Sequence, residues 1–347
     1  MGTPAFQLLV GVDIAAKTFA AVCTQDGTTY SRATTFDQSP EGFLSFQHWL
    51  AATGVALAQT LIVCEATGSY WIRFAVALQQ AGATVSVVNP QHAHEYAKSL
   101  GRRSKTDALD ARVLAQLAWE RRPVGWTPPP AVYHELRQRL LARDALLEMR
   151  QQARNQRHAL VQWPVVVEGV TAQFDRVIAT VSEQLAELDA EIAQTLQAGA
   201  WAESAILLQS ITGIGALSAA WLLVATVNFE LCASPSAATA YAGLDPLLHE
   251  SGTSVRGRPV SGRGGNARLR KALYLATLSA AQHNPVIKTF YDRLRAAGKP
   301  AKVARCAAAR KLLHICWAVV VKRQAFDPAY AQRHQLVARA EAVHTPR

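Results

Sequence analysis

FQLLVGVDI, residues 6–14, is an apolar run of strand length that carries a carboxylate, Asp13, next to its end. The run lacks helical spacing and is short for a buried helix, so it predicts a buried β-strand. FAAVCTQ (19–25) and TTYSRATTF (28–36) follow as two further strand-like segments. The chain is therefore expected to open with three consecutive strands.

Beyond residue 40, helical and strand-like segments alternate. The helical segments are EGFLSFQHWLAA (41–52), SYWIRFAVALQQAG (69–82), HAHEYAKSL (92–100) and TDALDARVLAQLAW (106–119), and the strands are TLIVCEA (60–66) and TVSVVNP (84–90). This order predicts an α/β domain with a mixed sheet, and the order of its strands suits an RNase H-like fold.

The prolines of WTPPP (126–130) mark the end of this domain, because consecutive prolines cannot lie inside a helix. Residues 131–162 and 168–198 then predict two long helices, interrupted at Pro164. In the second helix, apolar residues recur four and three positions apart: Phe174, Ile178, Val181, Leu185, Leu188 and Ile192. A coiled-coil hairpin, pairing with another chain and an ordinary amphipathic bundle all account for this repeat.

The chain is thus predicted to have four parts. They are an α/β domain over 1–125, a linker and helical hairpin over 126–200, a mainly α-helical domain over 201–330, and a basic tail over 331–347. Five scattered cysteines without a CxxC pair indicate neither a disulfide framework nor a zinc site. With no apolar run of about 18 residues and no signal-peptide pattern, we expect a cytoplasmic protein without a membrane partner.

The formal net charge of +11 is concentrated near the C-terminus. Residues 251–347 carry 19 Lys and Arg against 3 Asp and Glu, whereas residues 1–250 carry 17 against 22. A basic quarter with so few acidic residues favours a phosphate-binding surface, and hence nucleic acid, over a merely solvated basic face.

Four carboxylates of the first domain have positions that suit a metal site. Asp13 and Glu65 follow apolar strands, and Asp107 and Asp110 lie three apart on one helix face. Two carboxylates ~4 Å apart repel by about 4 kcal/mol at an effective dielectric near 20, a cost that a bound cation removes. Oxygen ligands favour Mg²⁺ or Mn²⁺, and paired ions of this kind activate phosphodiesters. Each carboxylate taken alone is more typical of a turn, a cap or a helix N-terminus, and only the four together favour a metal site.

HESGTSVRGRPVSGRGG, residues 249–265, is called the serine stretch below. It holds five glycines, four hydroxyl residues (Ser251, Thr253, Ser254 and Ser261) and three arginines (Arg256, Arg258 and Arg263). Glycines allow a backbone to approach a phosphate closely, and guanidinium groups bind its oxygens in bidentate fashion. The residues alone leave open whether this stretch is a tether or an active-site loop, and which hydroxyl would react.

Other segments suit phosphate contacts that position nucleic acid without reacting. In ITGIG, Gly213 and Gly215 form a helix–helix turn whose amides suit a phosphate. Basic residues with the same expected role are Arg102, Arg103, Lys105, Arg268, Arg270, Lys271, Lys299, Lys302, Arg305, Arg310 and Lys311.

These motifs together resemble one known family. GVDIAAKTF, CEATGSYW, VVNP and GRRSKTDALDARVLA resemble the N-terminal domain of the insertion sequence 110 (IS116/IS110/IS902) transposases. ITGIG, AYAGLDP, ESGTSVRG and LRKALY resemble the C-terminal domain of that family. The resemblance covers nearly the whole chain, in order and at compatible spacing.

The resemblance implies a RuvC-like, RNase H-fold domain and a mainly helical C-terminal transposase domain. It implies that Asp13, Glu65, Asp107 and Asp110 are a DEDD set that binds Mg²⁺, and that Ser251 is the nucleophile. The family also implies a structured bridge RNA that pairs with target and donor DNA. The hypothesis is then an RNA-guided DNA recombinase of the prokaryotic nucleoid.

Recombination of four DNA ends leads us to expect a homodimer or homotetramer, with residues 131–198 as its contact. Two other functions remain open from the residues. One is a Mg²⁺-dependent nuclease or junction resolvase of RNase H type without a covalent intermediate. The other is a non-enzymatic nucleic-acid-binding protein.

Overall fold

The computed structural model describes residues 6–101, 106–247, 250–251, 255–256, 260–261 and 265–330. The chain forms two compact units, residues 1–128 and residues 129–347. None of the helices within the described ranges combines the length and apolarity needed to span a bilayer.

The first unit has the predicted alternation of elements. Its strands are β1 (Leu8–Ile14), β2 (Thr18–Thr24), β3 (Thr34–Asp37), β4 (Thr60–Glu65) and β5 (Thr84–Val88). Its helices are α1 (Pro40–Ala51), α2 (Tyr70–Gln80), α3 (Pro90–Ser99) and α4 (Asp107–Arg121), with a short 3-10 turn at Leu57–Gln59. The predicted α/β class is confirmed.

The third strand is shorter than the segment TTYSRATTF predicted, because it begins only at Thr34. Upstream of it, Asp26 Oδ1 accepts hydrogen bonds from the backbone N–H groups of Thr28 and Thr29, at 2.8 and 2.7 Å. Ser31 Oγ accepts another from the backbone N–H of Cys23. Ser31 keeps one backbone bond to β2, from its N–H to the Cys23 carbonyl, but the side-chain acceptors take up the other N–H groups named here and hold the segment as a loop.

The five strands form one mixed sheet in the order β3-β2-β1-β4-β5. β2 lies antiparallel to β1 and to β3, while β4 lies parallel to both β1 and β5. This arrangement is consistent with the RNase H-like fold, and it leaves β1 and β4 as neighbouring parallel strands in the sheet interior.

Helices cover both faces of this sheet. On one face, an aromatic cluster of Phe19, Phe36, Phe43, Phe46 and Phe74 packs among the sheet, α1 and α2. On the other face, the side chains of Leu9, Leu61 and Val63 pack against Leu114, Leu117 and Ala118 of α4. Burial on both faces explains why β1 and β4 are almost entirely apolar.

The second unit is helical. Its helices are α5 (Ala131–Leu160), α6 (Glu168–Gln197), α7 (Ala202–Gln209), α8 (Ala216–Thr226), α9 (Pro235–Ala242), α10 (Ala267–His283), α11 (Pro285–Ala296) and α12 (Ala301–Val321). The residues described between α9 and α10 include four two-residue strands: β6 (Pro246–Leu247), β7 (Glu250–Ser251), β8 (Val255–Arg256) and β9 (Val260–Ser261).

α5 and α6 form an antiparallel hairpin. Three of the six predicted heptad positions, Val181, Leu185 and Ile192, are buried, and the other three are partly buried. Ion pairs cross between the two helices: Arg139 with Glu191, Arg143 with Asp189, and Arg157 with Asp175. The repeat therefore serves a seam within one chain.

The base of this hairpin belongs to the core of the second unit. Leu136, Leu140 and Ile192 are fully buried in one cluster with residues of α7, α8, α10 and α12. The hairpin is therefore anchored at one end by apolar burial. At its other end, the connection between the helices, residues 161–167, exposes Trp163, Val165 and Val167.

Candidate active site

The carboxylates Asp13 and Glu65 lie at the same edge of the sheet. β1 and β4 are parallel, and their pairing runs through Val12 and Cys64. Asp13 and Glu65 are the next residues on the two strands, so they occupy equivalent positions where the strands reach their carboxyl ends.

The two carboxylates also share a face. Side chains alternate along a strand, so Asp13 lies on the same side as Leu9 and Gly11, and Glu65 on the same side as Leu61 and Val63. That side is covered by α4. Both carboxylates consequently belong to the helix-covered face, at the end of its apolar layer.

α4 runs antiparallel to β1 and brings the other two carboxylates to this edge. After the helix ends, Arg122 Nη1 donates a 3.1 Å hydrogen bond to the backbone carbonyl of Phe6, just before β1 begins. The N-terminal turn of α4, with Asp107 and Asp110, therefore lies towards the end of β1 that carries Asp13. Thr106 fixes this turn, because its hydroxyl accepts from the backbone N–H of Leu109.

Glu65 has one polar contact, with Thr67, and a buried neighbour in the chain, Cys64. Glu65 Oε1 accepts a hydrogen bond of 2.5 Å from the hydroxyl of Thr67. Its neighbour Cys64 is fully buried, and burial together with the charge of Glu65 raises the pKa of that thiol to about 12. Glu65 itself is only partly buried, as are Asp13 and Asp110, while Asp107 is exposed.

These four carboxylates are called the carboxylate edge below. Within the described ranges, no three His, Cys, Asp or Glu side chains are gathered closely enough to hold a metal ion. The fold therefore brings the four backbone positions to one edge without forming a closed cage. The donor set nevertheless fits a divalent ion, because hard oxygen ligands at a partly exposed site suit Mg²⁺ and Mn²⁺.

The connection between α9 and α10, which contains the serine stretch, leaves and rejoins the helices at one point. Gly265 has φ +83° and lies against Gly243, so a Cβ on Gly265 would be 2.6 Å from the Gly243 nitrogen. The backbone N–H of Asn266 donates to the Tyr241 carbonyl at 2.7 Å. Arg270 Nη1 donates to the Ala242 carbonyl at 2.9 Å. These contacts close the neck of the stretch.

Beyond the neck, the described backbone segments form two separate pairs of short strands. β6 pairs antiparallel with β9, and β7 pairs antiparallel with β8, so that Glu250 opposes Arg256 and Ser251 opposes Val255. Ser251 thus lies in the pair farthest from the neck along the chain. Three arginines and a lysine proposed for phosphate contacts, Arg102, Arg103, Lys105 and Arg258, lie outside the described residues, as does Arg263.

The described basic residues of the second unit have mixed surroundings. Lys302 is exposed, and Lys271 lies 3.9 Å from Asp144 with most of its side chain in solvent. Arg268 lies over the Trp221 ring at 5.6 Å, and Arg305 donates to the Tyr274 hydroxyl at 3.0 Å. That hydrogen bond raises the pKa of Arg305. Arg270, in contrast, helps to close the neck.

The GIG turn has a structural reason for its first glycine. Gly213 has φ +103°, and a Cβ there would lie 2.6 Å from the Cβ of Ala280 on α10. Gly215 precedes α8 and has open space around it. A role in phosphate binding is therefore better supported by the surroundings of Gly215 than by those of Gly213.

Two family models match the chain. The IS110 model of DEDD transposases, described as "Transposase", matches residues 10–163, which include the whole carboxylate edge. The model "Transposase IS116/IS110/IS902 family" matches residues 205–292, which include the serine stretch. The chain belongs to the IS116/IS110/IS902 family of transposases. It is a DNA transposase or recombinase, as the sequence motifs led us to expect.

Curated relatives agree with this assignment. The chain is 32% identical over 320 residues to the "Pilin gene-inverting protein" of Moraxella bovis, covering 92% of this chain and 97% of the relative. The protein of the same name from Moraxella lacunata matches to the same extent. An "Insertion element IS110 uncharacterized 43.6 kDa protein" of Streptomyces coelicolor is 33% identical over 169 residues, which cover 47% of this chain and 40% of the relative.

Three residues of the transposase's candidate site were not predicted from the sequence. They are Thr67, which donates a hydrogen bond to Glu65; Thr106, which caps the start of α4; and Trp221, whose ring contacts the Arg268 guanidinium. The threonines carry a local signal, since Thr or Ser two residues after a carboxylate or just before a helix commonly bonds it. Trp221 carries none, because α8 and α10 are brought together only by tertiary packing.

Proposed function

We propose that this transposase cleaves and rejoins DNA strands during insertion-sequence transposition. Asp13, Glu65, Asp107 and Asp110 would hold Mg²⁺ or Mn²⁺, and Ser251 would be the nucleophile. The observation that carries this proposal is the carboxylate edge, where two parallel strands and an antiparallel helix direct four carboxylates to one end of the sheet. It supports the RuvC-like arrangement that the family resemblance implies.

The proposed chemistry is phosphoryl transfer, in which a phosphodiester bond of the DNA is exchanged for a phosphoserine bond. The Ser251 hydroxyl loses its proton, its oxygen bonds to phosphorus, and the bond from phosphorus to one deoxyribose oxygen breaks as that oxygen takes up a proton. The resulting phosphoserine keeps the energy of the backbone bond. A hydroxyl of the incoming strand then gives up its proton and bonds to this phosphorus. The bond to the Ser251 oxygen breaks, and the serine hydroxyl is restored. A divalent ion held at the carboxylate edge would supply charge stabilisation of the phosphate.

A covalent adduct is the decisive test. Purified protein is incubated with Mg²⁺, guide RNA and labelled donor DNA, and protein–DNA adducts are resolved on a denaturing gel. We expect an adduct with the wild type, none with Ser251→Ala, and adducts with the matched variants Ser254→Ala and Ser261→Ala. Asp13→Asn should abolish cleavage, whereas Glu95→Gln, an exposed carboxylate on α3, should not.

The alternative is a metal nuclease of RNase H type that uses water as nucleophile. It predicts Mg²⁺-dependent cleavage without an adduct and full activity of Ser251→Ala. Binding without cleavage under any metal condition would instead support a non-enzymatic role. The carboxylate edge favours either enzymatic function over the last, because oxygen ligands at one edge of a sheet suit a divalent ion that can activate a phosphodiester.

We also propose that a structured bridge RNA selects the target and donor DNA. Exposed basic side chains such as Lys302 and Arg268 suit phosphate contacts, which position nucleic acid and read no sequence. Sequence choice then rests on base pairing, as in other RNA-guided proteins. The test is recombination at a new target after the matching guide segment alone is changed.

We propose a homodimer or homotetramer that acts on DNA of the nucleoid, in the cytoplasm. The exposed apolar residues at the hairpin connection support self-association: Trp163 is 68% exposed and Val165 is 77% exposed. Solvent contact of such a patch is unfavourable, and a second copy would cover it. Sedimentation of the nucleic-acid complex should show two or four protomers, and Trp163→Ser with Val165→Ser should shift it towards fewer.

A further inference from the structure

Beside the neck of the serine stretch, the second unit contains a groove of about 460 Å³. It lies between α5, α8 and the start of α10. Six of its lining residues are Arg137, Leu141, Trp221, Ala225, Asn266 and Arg268. A volume of this size falls in the range of small-molecule sites and is far too small for a duplex.

The groove combines an aromatic ring with two cations. Trp221 is partly exposed at the wall of the groove, while the rest of its ring packs against the buried core. The guanidinium of Arg268 lies 5.6 Å from the centre of this ring. Arg137, on the opposite helix, is held by the Tyr133 hydroxyl at 2.9 Å. None of the described lining residues is acidic.

The aromatic ring and the two arginines of the groove suit a ligand that has both a flat aromatic ring and a negatively charged group. An indole face and an arginine plane stack on any nucleobase, and guanidinium groups bind the attached phosphate. A carboxylate or sulfate alone would use the arginines and leave the ring without a function. A duplex would present its phosphates and keep its bases out of reach.

We propose that this groove, the stacking groove, holds one unpaired nucleotide against Trp221, with its phosphate between Arg137 and Arg268. The proposal rests on the recombinase function proposed above and specifies how a strand would be held. Asn266 follows the serine stretch directly in the chain, and Arg268 lies two residues further on. A nucleotide in the groove would therefore be anchored at the neck that joins this stretch to α10.

The first test maps contacts in the unaltered protein. Single-stranded 12-mers with one 5-iodouracil are irradiated in complex with the full chain, and crosslinked peptides are identified by mass spectrometry. Deoxy and ribo versions are run separately, and the version that crosslinks more strongly identifies the strand. We expect the crosslink at Trp221. Crosslinks that occur only at other residues would overturn the proposal.

The second test measures affinity for an oligo(dT) 12-mer and for a blunt duplex of equal length. Trp221→Leu should weaken single-strand binding about tenfold, the lower part of the range for loss of one stacked base, and should leave duplex binding within about twofold. Trp221→Phe should retain most of the affinity. Leu44→Ala, at an exposed apolar residue of α1, is the control and should change neither.

Equal losses on single strand and duplex, or no loss on either, would overturn the stacking groove. Because Trp221 also packs on the core, the thermal unfolding of each variant is compared. If Trp221→Leu is unfolded, the affinities of Trp221→Phe decide the test. Neither test measures cleavage. The recombinase function can therefore fail, by lack of an adduct, while the stacking groove is upheld, and the reverse also holds.

Discussion

Gly11 of β1 lies directly against the backbone of Ala111 of α4: a Cβ at Gly11 would overlap the Ala111 carbonyl oxygen and the Ala115 nitrogen. This contact lets the helix lie close to the strand. Asp13 and Asp110 stand respectively two residues and one residue from it along their elements. The separation of strand and helix at this point therefore governs how closely carboxylates from the two elements can approach.

We predict that Gly11→Ala lowers the free energy of unfolding by about 1–3 kcal/mol, the usual cost of an added methyl group in a packed core. It should also reduce DNA cleavage more than stability alone explains, because α4 must move away from the sheet. Denaturant unfolding and cleavage assays measure the two effects. Gly169→Ala, with open space around it on α6, is the control and should not lower stability or cleavage. Wild-type cleavage by Gly11→Ala would contradict the prediction.

We predict that Thr67→Val weakens the response of cleavage to Mg²⁺, because it removes the hydroxyl that bonds Glu65 Oε1. Loss of such a partner of a metal ligand typically costs about 10–100-fold in metal affinity or activity. Thr67→Ser keeps the hydroxyl and should remain near wild type. The measurement is the Mg²⁺ concentration that gives half-maximal cleavage. An identical metal response for Val and wild type would show that this hydrogen bond has no part in the site.

We predict that two basic residues of the second unit differ in role. Lys302→Gln should leave thermal stability unchanged and lower the salt slope of DNA binding by about one, as expected for one lost phosphate contact. Arg270→Gln should instead lower the melting temperature, because it removes the hydrogen bond to the Ala242 carbonyl at the neck. Binding measured at several salt concentrations separates the two. A lowered salt slope without destabilisation in Arg270→Gln would refute the assignment.

We predict that acid destabilises the protein partly through His314. Burial, and then the charge of Arg310, lower the pKa of His314, while Asp245 opposes this. The unfolded chain therefore binds the proton more readily, so the contribution of His314 is fully present above about pH 6.5 and falls as the pH drops below that value. His314→Gln should reduce the fall in melting temperature between pH 7.5 and 5.5. The same variant at pH 8 reports its direct structural cost, and an unaltered fall would exclude this histidine.

Much of the first unit could be predicted from local pattern. Apolar runs of strand length, amphipathic helical segments and prolines at helix starts identify the elements, because burial and backbone hydrogen bonding act on each segment in the same way. The third strand was predicted too long, since side-chain bonds from Asp26 and Ser31 compete with the sheet over short distances. The heptad of α6 predicted a seam, but its partner within the chain could not be read from periodicity.

The sequence by itself determined the class of the protein, the helical and strand segments, the basic C-terminal quarter and the motifs of the IS116/IS110/IS902 family. Only the tertiary structure decided that Asp13 and Glu65 stand at equivalent positions of parallel strands, that α4 runs antiparallel to them, and that Gly265 closes on Gly243. It alone placed Trp221 beside Arg268. The physical reason is that propensity and hydrophobic period act between near neighbours in the chain. Contacts between distant residues depend instead on how whole elements pack, which no local pattern encodes.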